Sequence, residues 1–241
     1  MKIFAVTLAV TAVLTCAQAA QAQSFRPLPA VTTPIPIGDD NEIAAVLPFN
    51  IKVGSEAPYN AIVVSQNAAI YKSDLSDLLT NYFDDLLVTA TTGQANFGSS
   101  TVNGRPAFIA THSNVAYCCS VTPGGPRANV QIVVIDRSDI APGDFDYEIN
   151  TQGLARVPAI QSFQIDGVGV GRAGVPEFSA GSQAYRSTWT FRNGQLTSGT
   201  GPTLIAAAAA VPTMTEWAMI LFGTMLAGGA ALYLQRRRLI A

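Results

Sequence analysis

The chain has 241 residues, with 14 Lys and Arg against 16 Asp and Glu, one histidine, three cysteines and a net charge of −2. Setting aside Lys2, Glu216 and the three terminal arginines leaves ten basic and fifteen acidic residues, a net of −5 that gives no electrostatic reason to bind nucleic acid or anionic lipid. Three cysteines, two of them adjacent, exclude the disulfide framework that staples small secreted domains.

In chain order, Lys2 precedes the apolar stretch IFAVTLAVTAVL and the small-residue region AQAAQAQS follows it. Residues 1–22 therefore read as a secretory signal peptide cleaved after Ala22, with Ala20 at the other small position and Ala19 as the neighbouring choice. A lipoprotein reading through Cys16 is the lesser alternative, because Thr15 is a poor residue to precede a lipidated cysteine. Five prolines between residues 23 and 48 favour extended, polyproline-like chain, so residues 23–46 read as a lead-in.

From Phe49 onward, short runs rich in Val, Ile, Phe, Tyr and Thr are separated by Gly, Pro and Asn, the texture of a β-rich domain. FNIKVG, NAIVVSQ, RPAFIATHSNVAY, SFQIDGVGV and STWTFRN are strand candidates. The clearest is DFDYEIN, in which Phe145, Tyr147 and Ile149 alternate with Asp144, Asp146 and Glu148 and predict one core face and one solvent face. NVQIVVID before it is almost continuously apolar and predicts a strand buried on both sides; DRSDIAPGD between them predicts a tight hairpin connection. One stretch departs from this pattern. SDLSDLLTNYFDDLL spaces Leu75, Leu78, Leu79, Tyr82 and Leu86 as a helix would, behind a capping Ser73, and predicts one short helix.

Residues 196–210 are small and lack strand periodicity, so they read as a linker. It leads to residues 217–234, an uncharged apolar run of eighteen residues, about 27 Å as a helix and just enough to span a bilayer. Trp217 and Tyr233 suit the interfaces, and Arg236, Arg237 and Arg238 directly beyond the span set that end in the cytoplasm. The domain before it is thereby expected outside.

Several constellations bear on chemistry. Gly169, Gly171 and Gly174 formally satisfy the dinucleotide-binding spacing, yet Pro176 follows at once and no acid lies between Glu177 and Glu216, so a bend or bulge is the better reading. His112 is the one imidazole and sits in a strand pattern with no nucleophile motif nearby, which suits a structural or surface role better than catalysis. Asp136, Asp139, Asp144, Asp146 and Glu148 crowd one loop and its exit strand, but their spacing fails the helix–loop–helix calcium pattern, and a solvated face is the better reading. Cys118 and Cys119 admit a vicinal disulfide, two packed thiols or a link to another chain; metal binding is the weakest option for want of companion ligands. No cofactor is expected.

Two resemblances follow. STVNGRPAFIATHSNVAYCCS, then NVQIVVIDRSDIAPGDFDYEIN, then GVGVGRAG resembles the nidogen-like extracellular domain of matrix and adhesive proteins, with residues 103–108, 114–117, 129–139 and 143–150 matching piece by piece. PFNIKVGSEAPYNAIVVSQNAAIY is similar to that family's opening strands, and the resemblance covers residues 47–195. Departures are the segment near Phe83, Asp84 and Asp85, His112 standing near the family's usual tryptophan, and a missing end to the following run. The resemblance implies a mostly β, antiparallel sandwich-like extracellular domain without catalytic residues.

The second resemblance lies in VPTMTEW, a hydrophobic helix and RRR. This is similar to the IPTL-type C-terminal sorting signal handled by exosortase-like membrane transpeptidases. Val211, Pro212, Thr213 and Met214 take the place of the Ile-Pro-Thr-Leu run, and Glu216, Trp217, Arg236, Arg237 and Arg238 complete the signal over residues 211–238. Pro212 lacks an amide hydrogen and disfavours helix in the residue before it, which keeps an extended peptide accessible just outside the bilayer.

The resemblances imply an exported, non-enzymatic adhesion or binding protein. As a precursor it sits in the inner membrane, is processed by the transpeptidase, and is then displayed at the cell surface or in extracellular matrix. Extracellular polysaccharide or a surface protein is its implied partner. The alternatives are a membrane-tethered periplasmic or surface hydrolase, which needs His112 or an acid pair in a cleft, and a calcium-dependent binding module.

Overall fold

A computed structural model describes residues 25–74, 78–82, 85–89, 91–118, 125, 127–152, 160–166, 168–174, 184–205, 222 and 225. The chain divides into two compact units, Gln23–Ala206 and Met1–Ala22 with Ala207–Ala241. The signal peptide with Ala22, residues 206–210 of the linker and the sorting signal at 211–238 lie outside the described residues, save Phe222 and Met225, which are helical and exposed. Among the described residues no helix is long and apolar enough to cross a membrane.

The larger unit is mostly β. Its described strands are β1 (Thr33–Pro34), β2 (Gly38–Asp39), β3 (Glu42–Ile51), β4 (Tyr59–Ser65), β5 (Ile70–Lys72), β6 (Leu78–Tyr82), β7 (Leu86–Val88) and β8 (Gln94–Val102). The second half gives β9 (Arg105–Tyr117), β10 (Arg127–Asp136), β11 (Phe145–Gln152), β12 (Ile160–Ile165), β13 (Val168–Gly174), β14 (Ala184–Arg192) and β15 (Gln195–Ile205). All pairings are antiparallel. One sheet runs β1-β8-β9-β10-β11-β14-β15, with β7 on the far end of β9 and β2 beside it; the other runs β13-β12-β6-β5-β4-β3.

One cluster of buried side chains joins the two sheets. Leu47, Ile51, Ile62, Val64 and Ile70 come from the smaller sheet, and Phe108, Ile132, Val134, Phe145, Tyr147 and Phe191 from the larger. Phe163 of β12 is the aromatic link: it meets Tyr147, Trp189 and Phe191 edge-on at centroid distances of 5.5, 5.1 and 5.3 Å. Edge-to-face contacts of this kind add about 0.5–1.5 kcal/mol each to the burial of the rings themselves.

Turn chemistry sets the register. Asn103 and Gly104 both have positive φ (51° and 78°) and close a two-residue hairpin between Val102 and Arg105. Asn193 and Gly194 (48° and 80°) do the same between Arg192 and Gln195. Asn-Gly is the preferred pair for this turn, because both central residues must be left-handed. A bulge in β9 at Asn114 (φ 56°), opposite Asn129, shifts the inward-facing set from Phe108, Ala110 and His112 to Val115 and Tyr117.

Several expectations need correction. The predicted helix at 73–86 is absent: β6 occupies its centre and β7 its end, with Leu86 in the core. β6 lies between β5 and β12 and supplies hydrogen-bond partners to both. Leaving those backbone groups unpaired would cost more than the marginal helix preference of one short segment.

The domain also reaches beyond 47–195. β3 begins at Glu42 and β1 lies in the lead-in, while β15 (Gln195–Ile205) runs through residues 196–205 of the expected linker. Its hydroxyl side chains bond back to β14, where Thr203 Oγ1 donates to the carbonyl of Arg186 at 3.0 Å and Ser198 meets Thr190 Oγ1 at 2.9 Å. SFQIDGVGV, read as one strand, is the β12–β13 pair turned at Asp166 (φ 49°).

Candidate binding groove

The alternation in β11 does bury Phe145, Tyr147 and Ile149 between the sheets. It turns Asp146 and Glu148 onto the outer face of the larger sheet, where three rows cross the strands in register. The first is Asn96, Thr111, Gln131, Asn150 and Arg186; the second Gly98, Ile109, Val133, Glu148 and Thr188; the third Ser100, Ala107, Ile135, Asp146 and Thr190.

This face is not the solvated acidic surface expected from sequence, because arginines from other elements occupy it. Glu148, 7% exposed, takes Arg26 on both oxygens (3.0 and 2.7 Å) with Arg186 at 3.7 Å. Asp146 takes Arg137 on one oxygen and Arg192 on the other, each at 2.6 Å. Asp139 is shared between Arg105 and Arg137. Asp144 is buried and accepts from the backbone amide of Asn193 at 2.7 Å. Partial desolvation pushes Asp139 up, but the hydrogen bonds from Arg105 and Arg137 outweigh it and hold the carboxyl below its ordinary range. The bond to Asp146 raises Arg137, while burial lowers Arg186 against the pull of Glu148.

Arg26 belongs to a strap. The lead-in crosses the outer face: the backbone amide of Arg26 donates to Gln131 Oε1 (2.6 Å), and Gln131 Nε2 donates back to the Arg26 carbonyl (2.9 Å) and to Thr111 Oγ1 (3.0 Å). Asn150 and Arg186 extend that row. Gly98 admits the strap, since a Cβ there would stand 2.5 Å from the Val31 carbonyl and press on Pro29. The strap then pairs with β8 through β1. This explains how β10 is buried on both sides, as its apolar run predicts.

Beside the strap, the third row and the Asn103 turn enclose a groove of about 280 Å³ lined by Val102, Asn103, Arg105, Ile135, Arg137, Asp146, Glu148, Thr188 and Thr190. Val102 and Ile135 give it an apolar floor, part of a second small cluster with Ala107, Ile109 and Val133. Charged and hydroxyl groups form its walls.

His112 lies elsewhere. It points between the sheets, wholly buried, and its Nε2–H donates to the Ser65 carbonyl of β4 at 3.1 Å, while Nδ1 has no hydrogen-bond partner among the described residues. Burial lowers its pKa from 6.5 to about 4 despite the bond to Ser65. This imidazole is a neutral clamp between sheets, out of reach of any substrate in the groove.

Gly169, Gly171 and Gly174 lie on β13, and Gly171 is the extra residue of a bulge opposite Ser162 and Phe163; residues 175–183, where a helix of the dinucleotide motif would follow, lie outside the described residues. Cys118 is disulfide-bonded; Cys16 and Cys119 lie outside the described residues. Asp39, Asp85 and Cys118 place ligand atoms within 4.8 Å of one another, but a disulfide sulfur is no thiolate, and two carboxylates fall short of the six to eight oxygens calcium takes. Partial desolvation, then the charges of Asp39 and Asp40, raise the Asp85 carboxyl. The acids at 136–148 do not converge on a common point either: each bonds an arginine or a backbone or hydroxyl donor.

Sequence reasoning missed all five arginines of this face. The Asn-Gly turns were the available signal, because they fix Arg105 and Arg192 at the first and last positions of their strands. Compared with protein-family models, curated proteins and solved structures, the chain matches none.

Proposed function

We propose that the protein is an exported, non-catalytic binding module. Its nidogen-like β-sandwich is delivered by the N-terminal signal peptide and held in the inner membrane by residues 217–234. An exosortase-like transpeptidase then acts at Val211, Pro212, Thr213 and Met214, and the domain is displayed at the cell surface or in extracellular matrix. There it engages polysaccharide or a surface protein.

The observation that carries the non-catalytic reading is the state of the titratable groups. The one imidazole is sealed in the core at a pKa of about 4, and Asp146 and Glu148 are each held by two arginines. A general base must reach the proton it removes with a free lone pair; the imidazole is sealed away from the groove, and the oxygens of both carboxylates are engaged by guanidinium groups. The export reading is supported by the order of signals along the chain: an apolar leader first, a β domain next, and VPTMTEW with its apolar run and arginines last.

A Pro212→Ala, Thr213→Ala double variant tests the processing step. The variant is expected to accumulate in the inner-membrane fraction at precursor size, while the wild type leaves it. Identical fractionation of the two proteins would contradict the sorting assignment.

A further inference from the structure

The groove on the outer face has an unequal supply of hydrogen-bonding groups. Both oxygens of Asp146 are taken, by Arg137 and Arg192, and both oxygens of Glu148 by Arg26. Among the described residues Arg105, by contrast, engages Asp139 through Nη1, and its side chain is 38% exposed. Arg137 spends Nε and Nη1 on Asp139 and Asp146. A guanidinium has five N–H donors, so two arginines at the groove mouth retain donors aimed at no described residue, whereas the carboxylates have given their best directions away. What the groove lacks is an acceptor, and a carboxylate is the acceptor whose two oxygens match a guanidinium edge.

The other walls indicate what carries that carboxylate. Exposed Thr188 and Asn103 and half-buried Thr190 surround a floor of Val102 and Ile135. A small apolar floor ringed by hydroxyl and amide groups suits one edge of a sugar ring and its hydroxyls. A compact multivalent anion would lie against Asp146 and Glu148 and be repelled by them. A single carboxylate kept at the Arg105 edge avoids that repulsion, and sugar hydroxyls can donate to the lone pairs that remain on Asp146. The volume of about 280 Å³ is at the small end of ligand pockets and fits one sugar unit of a longer chain.

We propose that the Arg105–Arg137 groove is a subsite for a carboxylated sugar residue, a uronate, within an acidic polysaccharide. This rests on the reading of the domain as a surface-displayed binding module and names the ligand class of that same face.

The test uses the full-length protein in detergent, titrated with an oligogalacturonate, with its fully methyl-esterified form, and with a sulfated oligosaccharide of equal length. The free acid is expected to bind. The ester, which keeps the ring and loses the charge, is expected to bind at least about tenfold more weakly, and Arg105→Gln to lose about tenfold for the acid alone, since each removes a charge-assisted pair. Binding of the acid should weaken as salt rises.

Arg105→Gln leaves Asp139 bonded to Arg137, so the fold persists; Thr188→Val, which keeps the side-chain volume, should weaken acid and ester alike. Equal affinity for acid and ester, no binding of the acid, or tighter binding of the sulfated chain overturns the proposal. None of these results touches the membrane-release assay for export. A protein that is processed and displayed yet ignores uronates loses this inference alone, and a protein that is never processed can still be titrated.

Discussion

His112 offers the sharpest quantitative consequence of the fold. In the unfolded chain the imidazole titrates near 6.5; in the folded protein burial lowers it to about 4. Between those values the unfolded state binds a proton that the folded state refuses, so stability falls as pH falls. The slope is about 1.4 kcal/mol per pH unit, and the loss accumulates to about 3 kcal/mol by pH 4, below which it levels off. That is a substantial share of the 5–15 kcal/mol typical of a domain.

Replacing His112 with Gln keeps an amide donor for the Ser65 carbonyl and removes the titration. Urea unfolding of both proteins at pH 7.5, 6.5, 5.5 and 4.5 is the assay, with the difference between them as the readout. The wild type should lose about 2–3 kcal/mol relative to the variant across that range, most of it below pH 6.5. Parallel pH profiles, or an imidazole NMR resonance titrating near 6.5 in the folded protein, would refute the buried clamp.

Other consequences follow from the outer face and the turns. Arg26→Ala removes the close partner of Glu148 and leaves Arg186 at 3.7 Å, so it should lower stability by about 1–3 kcal/mol in a thermal melt; a double-mutant cycle with Glu148→Gln should recover part of the loss. Gly194→Ala and Gly104→Ala impose the same left-handed strain, φ 80° and 78°, but a Cβ at 194 would collide with the Gly54 carbonyl while nothing stands within 4 Å of one at 104. The first should therefore cost several times the roughly 1 kcal/mol of the second. A chelator should leave the melting midpoint unchanged, since the carboxylates of the 136–148 region are paired with other partners; a downward shift would revive a calcium site.

How much of this was written in the sequence depends on the range of the interactions. Period-two alternation in residues 144–150 identified the inward aromatic face, and the continuous apolar run at 129–136 identified a strand covered on both sides. Local pattern suffices for both. The outer face was misread because its partners are remote: Arg26 lies 122 residues from Glu148, and Arg192 lies 46 from Asp146. Alternation shows that acids share a face but not what faces them.

The helix expected at 73–86 failed for a related reason, since leucine spacing is a local signal and the claim of β5 and β12 on β6 is not. The linker failed because small hydroxyl residues make an acceptable edge strand when a hydrogen-bonded neighbour is supplied. His112 was read as structural or surface from its isolation; its burial and its role in joining β9 to β4 came only with the second sheet.

The central claim, that this β domain is exported, processed and released from its anchor, is tested most directly by the intact mass of the protein recovered from its native envelope. The account predicts a chain that begins at Gln23 and ends within or near Val211, Pro212, Thr213 and Met214. A mature protein that retains residues 217–241 would contradict it and leave the C-terminal run as a permanent anchor.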